Sequence, residues 1–497
     1  MNARGLALLE AGDLDAALDC FDRALATRPD RDELHHNRGR VLWLQGQLEA
    51  ALASFEQALA LAPGRLDSFD GLAQAALHLC DWKRVERIGP ELAQRVAAGE
   101  PVSPWLLLGY SGDAMLQLRC ARNNIAARIP HFPPLWRGER YGHARIRVAY
   151  ISSDFRAHVV ANQIAELITR HDRGRFEIIG LATSKDDGSA IRARLAQNFD
   201  RFFDLSAMNH LERAAAVRQL ETDVLVDLNG HTDGENFAVL AQRAAPRQLS
   251  WLGYPGTTGA DFLDRLIVDS VVAPDAREFS EPLLHLPGSY FVSDTSRAIG
   301  PPPSRAEAGL PEEGFVFCSF INNWKITAPV FAIWMRLLQQ VSGSVLWLRQ
   351  SGGGADANLR KAAAGHGIDP ARILFAAHAP DEMYLARQAR ADLFLDTQPY
   401  NAHATACDAL WAGLPVVTQR GTAFAGRVAA SLLTAVGLPE LITESAQDYE
   451  ALAQVLARDP ARLKSVRAKL AVNRSHMPLF DTTGFARRIE SAFLALP

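Results

Sequence analysis

Sliding the chain against itself by 34 places brings Gly5 onto Gly39, Gly12 onto Gly46, Ala17 onto Ala51, Phe21 onto Phe55, Ala24 onto Ala58 and Pro29 onto Pro63. Such a period confines the first hundred residues to one repeated supersecondary unit, because each copy can bury its apolar face only against the next. Within a copy the order is small, small, aromatic, small, then proline. Small residues at helical spacing let two helices approach closely, and a proline stops the second one.

This period and this order resemble the tetratricopeptide repeat, two antiparallel helices per copy. Residues 64 to about 90 read as a third, degenerate copy, with Ala73 where a glycine stood and no closing proline. Two or three copies bury too little alone, so the array is expected to lean on the rest of the chain. It serves either to bind a peptide or protein on its concave face or as a structural cap. Residues 91–140 (SPWLLLGYSGDAMLQLRCARNNIAARI among them) read as helices bridging to the next domain, and PHFPPLW breaks the helical pattern.

A chain of 497 residues is long enough for about three domains. Its net charge of −4 and pI near 6.4 give no basic footprint, so nucleic acid is not an expected partner. Cys20, Cys80, Cys120, Cys318 and Cys407 are scattered and form no CxxC pair, which suggests neither a disulfide framework nor a zinc site and fits a reducing compartment. The opening MNARGLALLEAGDLDAAL meets acids too early for a signal peptide, and no apolar run is long enough to span a bilayer. A cytoplasmic protein without membrane partners is the expectation.

After Arg145 short β-branched runs alternate with helical stretches, the texture of parallel α/β units. IRVAYIS, FEIIGLAT, DVLVDLNG, RQLSWLGY and DRLIVDS read as strands of one sheet, followed near residue 290 by YFVSD. SRAIGPPPSRAEAGLPEEG reads as a linker, after which FVFCSF, SVLWLRQ, RILFAA, DLFLDT and PVVTQ form a second series. In open α/β sheets ligands bind beyond the carboxyl ends of the strands. There stand His158, His231, Lys325, the AHAPDEMYLAR loop and the segment DTQPYNAHATACDALWAG from Asp396.

Asn401 reads as an N-cap for a helix over about 402–412, and the amide groups near Ala404 and Thr405 would then form an anion site. Thr405 and His403 can add donors, while Asp408 is suited to a ribose diol. Lys325, before a helix begun by Ala328-Pro329, can neutralise a diphosphate or can equally be a solvated charge. His158 can be functional or a satisfied loop histidine. There is no GxGxxG and no GxxxxGK[ST], and Gly352-Gly353-Gly354 lacks the lysine. Acid pairs of the Asp-x-Asp type occur only as Asp13/Asp15 and Asp30/Asp32 in the repeats, so neither a metal nor another cofactor is expected.

VAYISSDFRAH, DVLVDLNGHTDG, LSWLGYPGTTGADFLDRLIVD, SVLWLRQ, DLFLDTQPYNAHATACDALWAGLPVVTQRG and GRVAASLL resemble the catalytic region of the protein O-linked N-acetylglucosamine transferases, in the bacterial SPINDLY-like branch. The likeness runs from about 140 to 495, and the repeats match that family's domain order. It implies tetratricopeptide repeats followed by a GT-B fold of two Rossmann-like domains, and an inverting, metal-free transfer from a UDP-sugar to a protein or peptide acceptor, which the repeats could help to bind. UDP-N-acetylglucosamine and Ser/Thr hydroxyls are the leading donor and acceptor. The alternatives are O-fucosyl transfer from GDP-fucose, N-glucosyl transfer to Asn, and a nucleotide-binding scaffold without activity.

The resemblance places His158 near the donor sugar and the acceptor hydroxyl, with a donor phosphate oxygen as the rival base. It sets Lys325 on the diphosphate and puts Asn322 where animal members carry glutamine. It makes His403, Ala404 and Thr405 the phosphate-binding helix start, Asp408 the ribose acid and Arg387 a neighbour of the base, and it adds Ala379 to the donor-binding set. Two positions depart from animal members: Asp381 replaces a lysine near the ribose, and Tyr384 replaces a histidine that stacks on uracil, a role a tyrosine ring also fills. The expected division is repeats at 1–90, a helical bridge at 91–140, an N-terminal Rossmann-like catalytic domain at 141–295, a linker at 296–312 and a C-terminal Rossmann-like nucleotide-sugar domain at 313–497.

Overall fold

The computed structural model describes residues 1–352 and 354–496; Gly353 of the triple-glycine run and the terminal Pro497 lie outside the described residues. The chain forms two compact units, Met1–Arg95 with Gly309–His378, and Val96–Ala308 with Ala379–Pro497. The repeats thus share a unit with a stretch more than two hundred residues further on.

In the first unit the 34-residue period becomes helix pairs: Asn2–Glu10 with Leu14–Thr27, Asp32–Leu44 with Leu48–Leu61, and Leu66–His78 with Trp82–Ala97. Ala17, Phe21, Ala24, Ala51, Phe55 and Ala58, the residues that recur in the sequence, are all buried. A Cβ on Gly39 would come within 2.7 Å of the Phe55 ring, and so would one on Gly71. The Phe55 ring therefore packs against two glycines. The third copy, which reads as degenerate, is a complete helix pair whose close-packing glycine stands at 71. The same unit holds β8 (Val316–Ser319), β9 (Val345–Arg349) and β10 (Ile373–Ala376), parallel, with β9 between the other two.

In the second unit lie β1 (Ile146–Ser152), β2 (Phe176–Ala182), β3 (Arg201–Asp204), β4 (Val224–Asp227), β5 (Arg247–Ser250), β6 (Arg265–Val268) and β7 (Leu283–His285). They form one parallel sheet ordered β3-β2-β1-β4-β5-β6-β7. Strands covered on both faces read as continuous apolar runs, and all of Val148–Ser152 and Val224–Asp227 is buried. The order reverses between β1 and β4, which opens a crevice at their carboxyl ends. β11 (Leu393–Leu395), β12 (Val416–Gln419) and β13 (Ile442–Thr443) run parallel in the same unit.

YFVSD is not a strand. The Tyr290 amide donates to Asp269 Oδ2 and its carbonyl accepts the Trp251 indole N–H, so side chains rather than a neighbouring strand satisfy this backbone. β7 instead forms a few residues earlier. β3 and β13 carry no apolar run that marks them: β3 has charged, exposed ends, and β13 is two residues long.

Candidate active site

At the β1–β4 reversal the loops are organised around Asn229, which is fully buried. Its amide group donates to Ser153 Oγ (2.8 Å) and Asp154 Oδ2 (3.1 Å), and its Oδ1 accepts from the Ser153 amide (2.9 Å) and from Asn236 (3.0 Å). Burial pushes the Asp154 carboxyl up to about 7, against the pull of Arg156. Four residues on, His158 caps the helix Val159–Arg170. Its Nδ1 accepts the Val160 N–H at 3.3 Å and lies 3.5 Å from Asp154 Oδ1. These two neighbours favour opposite tautomers: the amide keeps the proton on Nε2, whereas the carboxylate draws it to Nδ1 and leaves the Nε2 lone pair outward. Burial first, then Arg156, holds His158 down to about 4, so the ring is neutral at neutral pH; 36% of the side chain is exposed.

His231, the other histidine at this end of the sheet, is differently employed. It is buried, its Nε2–H donates to the Thr258 carbonyl at 2.6 Å, and its ring packs on Phe237 and Tyr254. It holds the loop together.

In the second half of this unit, the segment after β11 is tied down by Asp396. Its Oδ1 accepts the Ala402 amide and its Oδ2 the Thr418 hydroxyl, both at 2.6 Å. Asn401 is not the N-cap. It is fully buried and donates to the Thr397 carbonyl at 2.7 Å, because the Asp396 anchor turns the chain inward there. The helix begins later, Ala404–Trp411, with His403 at the cap position. His403 donates from Nε2 to the Ala425 carbonyl (3.0 Å), while Ala404 and Thr405 sit half-exposed in the first turn.

Asp408 is buried and meets Arg297, whose Nη1 lies 2.6 Å from Oδ1. Burial raises the Asp408 carboxyl and the guanidinium counters it. A second Arg297 nitrogen, Nη2, is 3.5 Å from Asp381 Oδ2, which also accepts from Asn162 at 3.1 Å. A continuous polar chain, Asn162 to Asp381 to Arg297 to Asp408, therefore joins the helix begun by His158 to the helix Ala404–Trp411. Asp381 opens the helix Asp381–Arg387, on which the Arg387 guanidinium lies 5.9 Å from the Tyr384 ring centre; half-buried Ala379 precedes it.

Lys325 and Asn322 belong to the first unit. Asn323–Lys325 is a 3-10 turn between β8 and the helix Ala328–Gln340. Lys325 is not a solvated charge: it is 9% exposed, and its ammonium stands 5.6 Å from the Trp324 ring centre. Arg349 donates to Asn322 Oδ1.

Sequence reasoning missed Asp154, Asn229, Arg297 and Asn162. Asp154 was findable from its spacing of four before His158. Arg297 was not, because its partner is 111 residues away and its own segment reads as a spacer. Among the described residues no group of three or more His, Cys, Asp or Glu side chains could hold a metal ion, and no helix is long and apolar enough to cross a membrane.

Residues 127–300 and 302–489 match the model of glycosyl transferase family 41, and residues 2–65 match that of a tetratricopeptide repeat. The chain belongs to glycosyl transferase family 41. This family 41 chain is 33% identical over 417 residues, 80% of its length and 42% of the relative's, to the Arabidopsis thaliana protein named probable UDP-N-acetylglucosamine-peptide N-acetylglucosaminyltransferase SEC. It is 32% identical over 359 residues, 70% of its length and 39% of the relative's, to the Arabidopsis thaliana SPINDLY protein given the same probable activity. It thus spans about two fifths of the length of these curated relatives. Its fold, helical repeats followed by two parallel Rossmann-like sheets, is GT-B. A solved Thermobaculum terrenum O-GlcNAc transferase mutant is similar to it at a TM-score of 0.81 and 26% identity, covering 99% of this chain and 95% of that one.

Proposed function

We propose that this family 41 chain transfers N-acetylglucosamine from UDP-N-acetylglucosamine to Ser or Thr hydroxyls of a protein acceptor, with inversion and without a metal ion. The expected domain division, from repeats at 1–90 to the nucleotide-sugar domain at 313–497, is carried into this reading. The acceptor oxygen attacks C1 of the sugar on the face opposite the diphosphate, the C1–O bond to the phosphate breaks, and UDP leaves with the electron pair. The hydroxyl proton goes to His158 Nε2 in the tautomer whose Nδ1–H faces Asp154. Lys325 and the amide groups at Ala404 and Thr405 take up the charge on the departing diphosphate. Asp408 accepts from the ribose hydroxyls, Tyr384 stacks on the base beside Arg387, and Asn322, Ala379 and His403 are assigned to donor binding.

The observation that carries this reading is the polar chain from Asn162 to Asp408, which links the helix of the proton acceptor to the helix of the ribose acid. Arg297 enters the site here: by holding Asp408 Oδ1 it opposes the upward push of burial on that carboxyl and leaves Oδ2 for the ribose.

The test is transfer from radiolabelled UDP-N-acetylglucosamine by the unmodified chain and by Lys325→Ala, with and without EDTA. Turnover that survives EDTA and is lost in the variant is expected. Equal, negligible turnover in both, with nucleotide still bound, would make the chain a scaffold, and tighter binding of GDP than UDP would move the donor to a GDP-sugar.

A further inference from the structure

The turns that join the two helices of each repeat fall at positions 12, 46 and 80, again 34 apart, and all three residues have left-handed backbone, with φ of 81°, 74° and 51°. At Gly12 and Gly46 a Cβ would meet nothing within 4 Å, so glycine is there for its conformation alone. The third copy places Cys80 in the same conformation, which L side chains adopt at a cost. That cost has a visible return. The Cys80 thiol donates to the Asn323 carbonyl at 3.5 Å, and burial pushes the thiol up to about 12, so it remains a protonated donor.

Its neighbours reach the same turn. The Asn323 amide group donates to the His78 carbonyl, and the Trp82 indole N–H donates to the Ile326 carbonyl at 2.9 Å. The His78 ring stacks on Trp324, 6.3 Å between centres and 28° between planes, and His78 is itself edged by Trp43 at 4.9 Å. Trp324 in turn faces the Lys325 ammonium. Residues on both sides of Lys325 are thus gripped from the repeats, some 244 positions earlier in the chain.

We propose that the third repeat is a positioning element for Lys325, with Cys80, His78 and Trp82 presetting the turn Asn323–Ile326 so that the ammonium stands where a diphosphate is to bind. The inference rests on the reading of Lys325 as the lysine of the donor diphosphate. It assigns the third repeat a task separate from acceptor capture, and it makes the departure at Cys80 a specialisation rather than decay.

The experiment titrates the full chain with UDP and with UMP, which lacks the β-phosphate, alongside a thermal melt. The unmodified chain is expected to prefer UDP, and Lys325→Ala to abolish that preference. Cys80→Gly, Trp82→Phe and His78→Ala are each expected to lower the UDP preference about fivefold, with UMP affinity unchanged. His78→Phe, which keeps the stack, is expected to retain it. Cys80→Gly restores the residue of the other copies and relieves the backbone, so its melting temperature is expected to hold or rise while UDP preference falls. In the Lys325→Ala background the repeat substitutions are expected to add nothing. UDP and UMP weakening together, or effects that stay additive with Lys325→Ala, would overturn the inference alone. A UDP preference indifferent to Lys325 would overturn the donor-site reading and the inference with it.

Discussion

The turn between β1 and the helix Val159–Arg170 and the turn between β8 and the helix Ala328–Gln340 are built on one plan. Each leaves a buried parallel strand, each ends at a helix start, and each carries a side chain assigned to the reaction, His158 or Lys325. They are braced differently. The His158 turn is supported from its own sheet, by Asn229 and Asp154 at the ends of the two strands where the order reverses. The Lys325 turn is gripped by a helix pair from the beginning of the chain. A proton acceptor at Nε2 needs the Nδ1–H tautomer, which the Asp154 carboxylate favours against the Val160 amide. A lysine on a long flexible stem needs its base fixed, and packing supplies that. Position in the fold thus selects the chemistry, while the bracing selects how it can fail.

Removing the ammonium outright should produce the largest effect. Lys325→Ala is expected to lower kcat by about 10² to 10³, or roughly 3–4 kcal/mol of transition-state stabilisation, read from initial rates with labelled donor. A fall confined to KM would mean that the lysine binds the donor without aiding departure. The His158 turn is probed next by Asp154→Asn, expected to cost about 10² in kcat. Its pH profile carries the sharper information. Asp154, raised to about 7, is protonated below that pH and can no longer hold the Nδ1–H tautomer, so activity should fall as pH drops through 7. In Asp154→Asn that limb should disappear, since His158, held near 4, does not titrate there. Persistence of the limb would assign it to another group.

Gly39→Ala tests the brace on the other turn from a distance. The added Cβ would meet the Phe55 ring at 2.7 Å, at an edge that already packs against Gly71. Overpacking should cost about 2 kcal/mol in chemical denaturation, outweighing the gain in helix propensity; a stabilised variant would show that the repeats yield easily. The smallest effect is expected at Arg297→Gln, about a tenfold rise in KM for the donor with kcat nearly kept, because a charged contact to Asp408 is lost while the chemistry is not touched.

Much of this was legible in the sequence where residue pattern and local geometry coincide. The 34-residue period is the packing of Phe21 and Phe55 written out, and parallel strands buried on both faces show as apolar runs whose ends point to His158, Lys325 and Asp408. The braces were not legible, because they join residues far apart in the chain. Arg297 lies in a stretch rich in Pro and Gly that reads as a spacer, and nothing in the sequence around Cys80 points to the Asn323 carbonyl that its thiol reaches. Asn401 misled for a related reason. Its type suits a helix cap, but Asp396 captures the Ala402 amide and draws the segment inward before the helix can begin.

If the His158 turn serves proton transfer and the Lys325 turn serves the diphosphate of one UDP-sugar, the two must separate in a binding experiment that involves no chemistry. Titration of the unmodified chain, His158→Ala and Lys325→Ala with UDP, against GDP as control, makes that separation directly. UDP should bind more tightly than GDP, His158→Ala should bind UDP as the unmodified chain does, and Lys325→Ala should bind it at least about tenfold more weakly, roughly 1.4 kcal/mol. Preference for GDP, or UDP affinity that follows His158 and ignores Lys325, would contradict this division of labour.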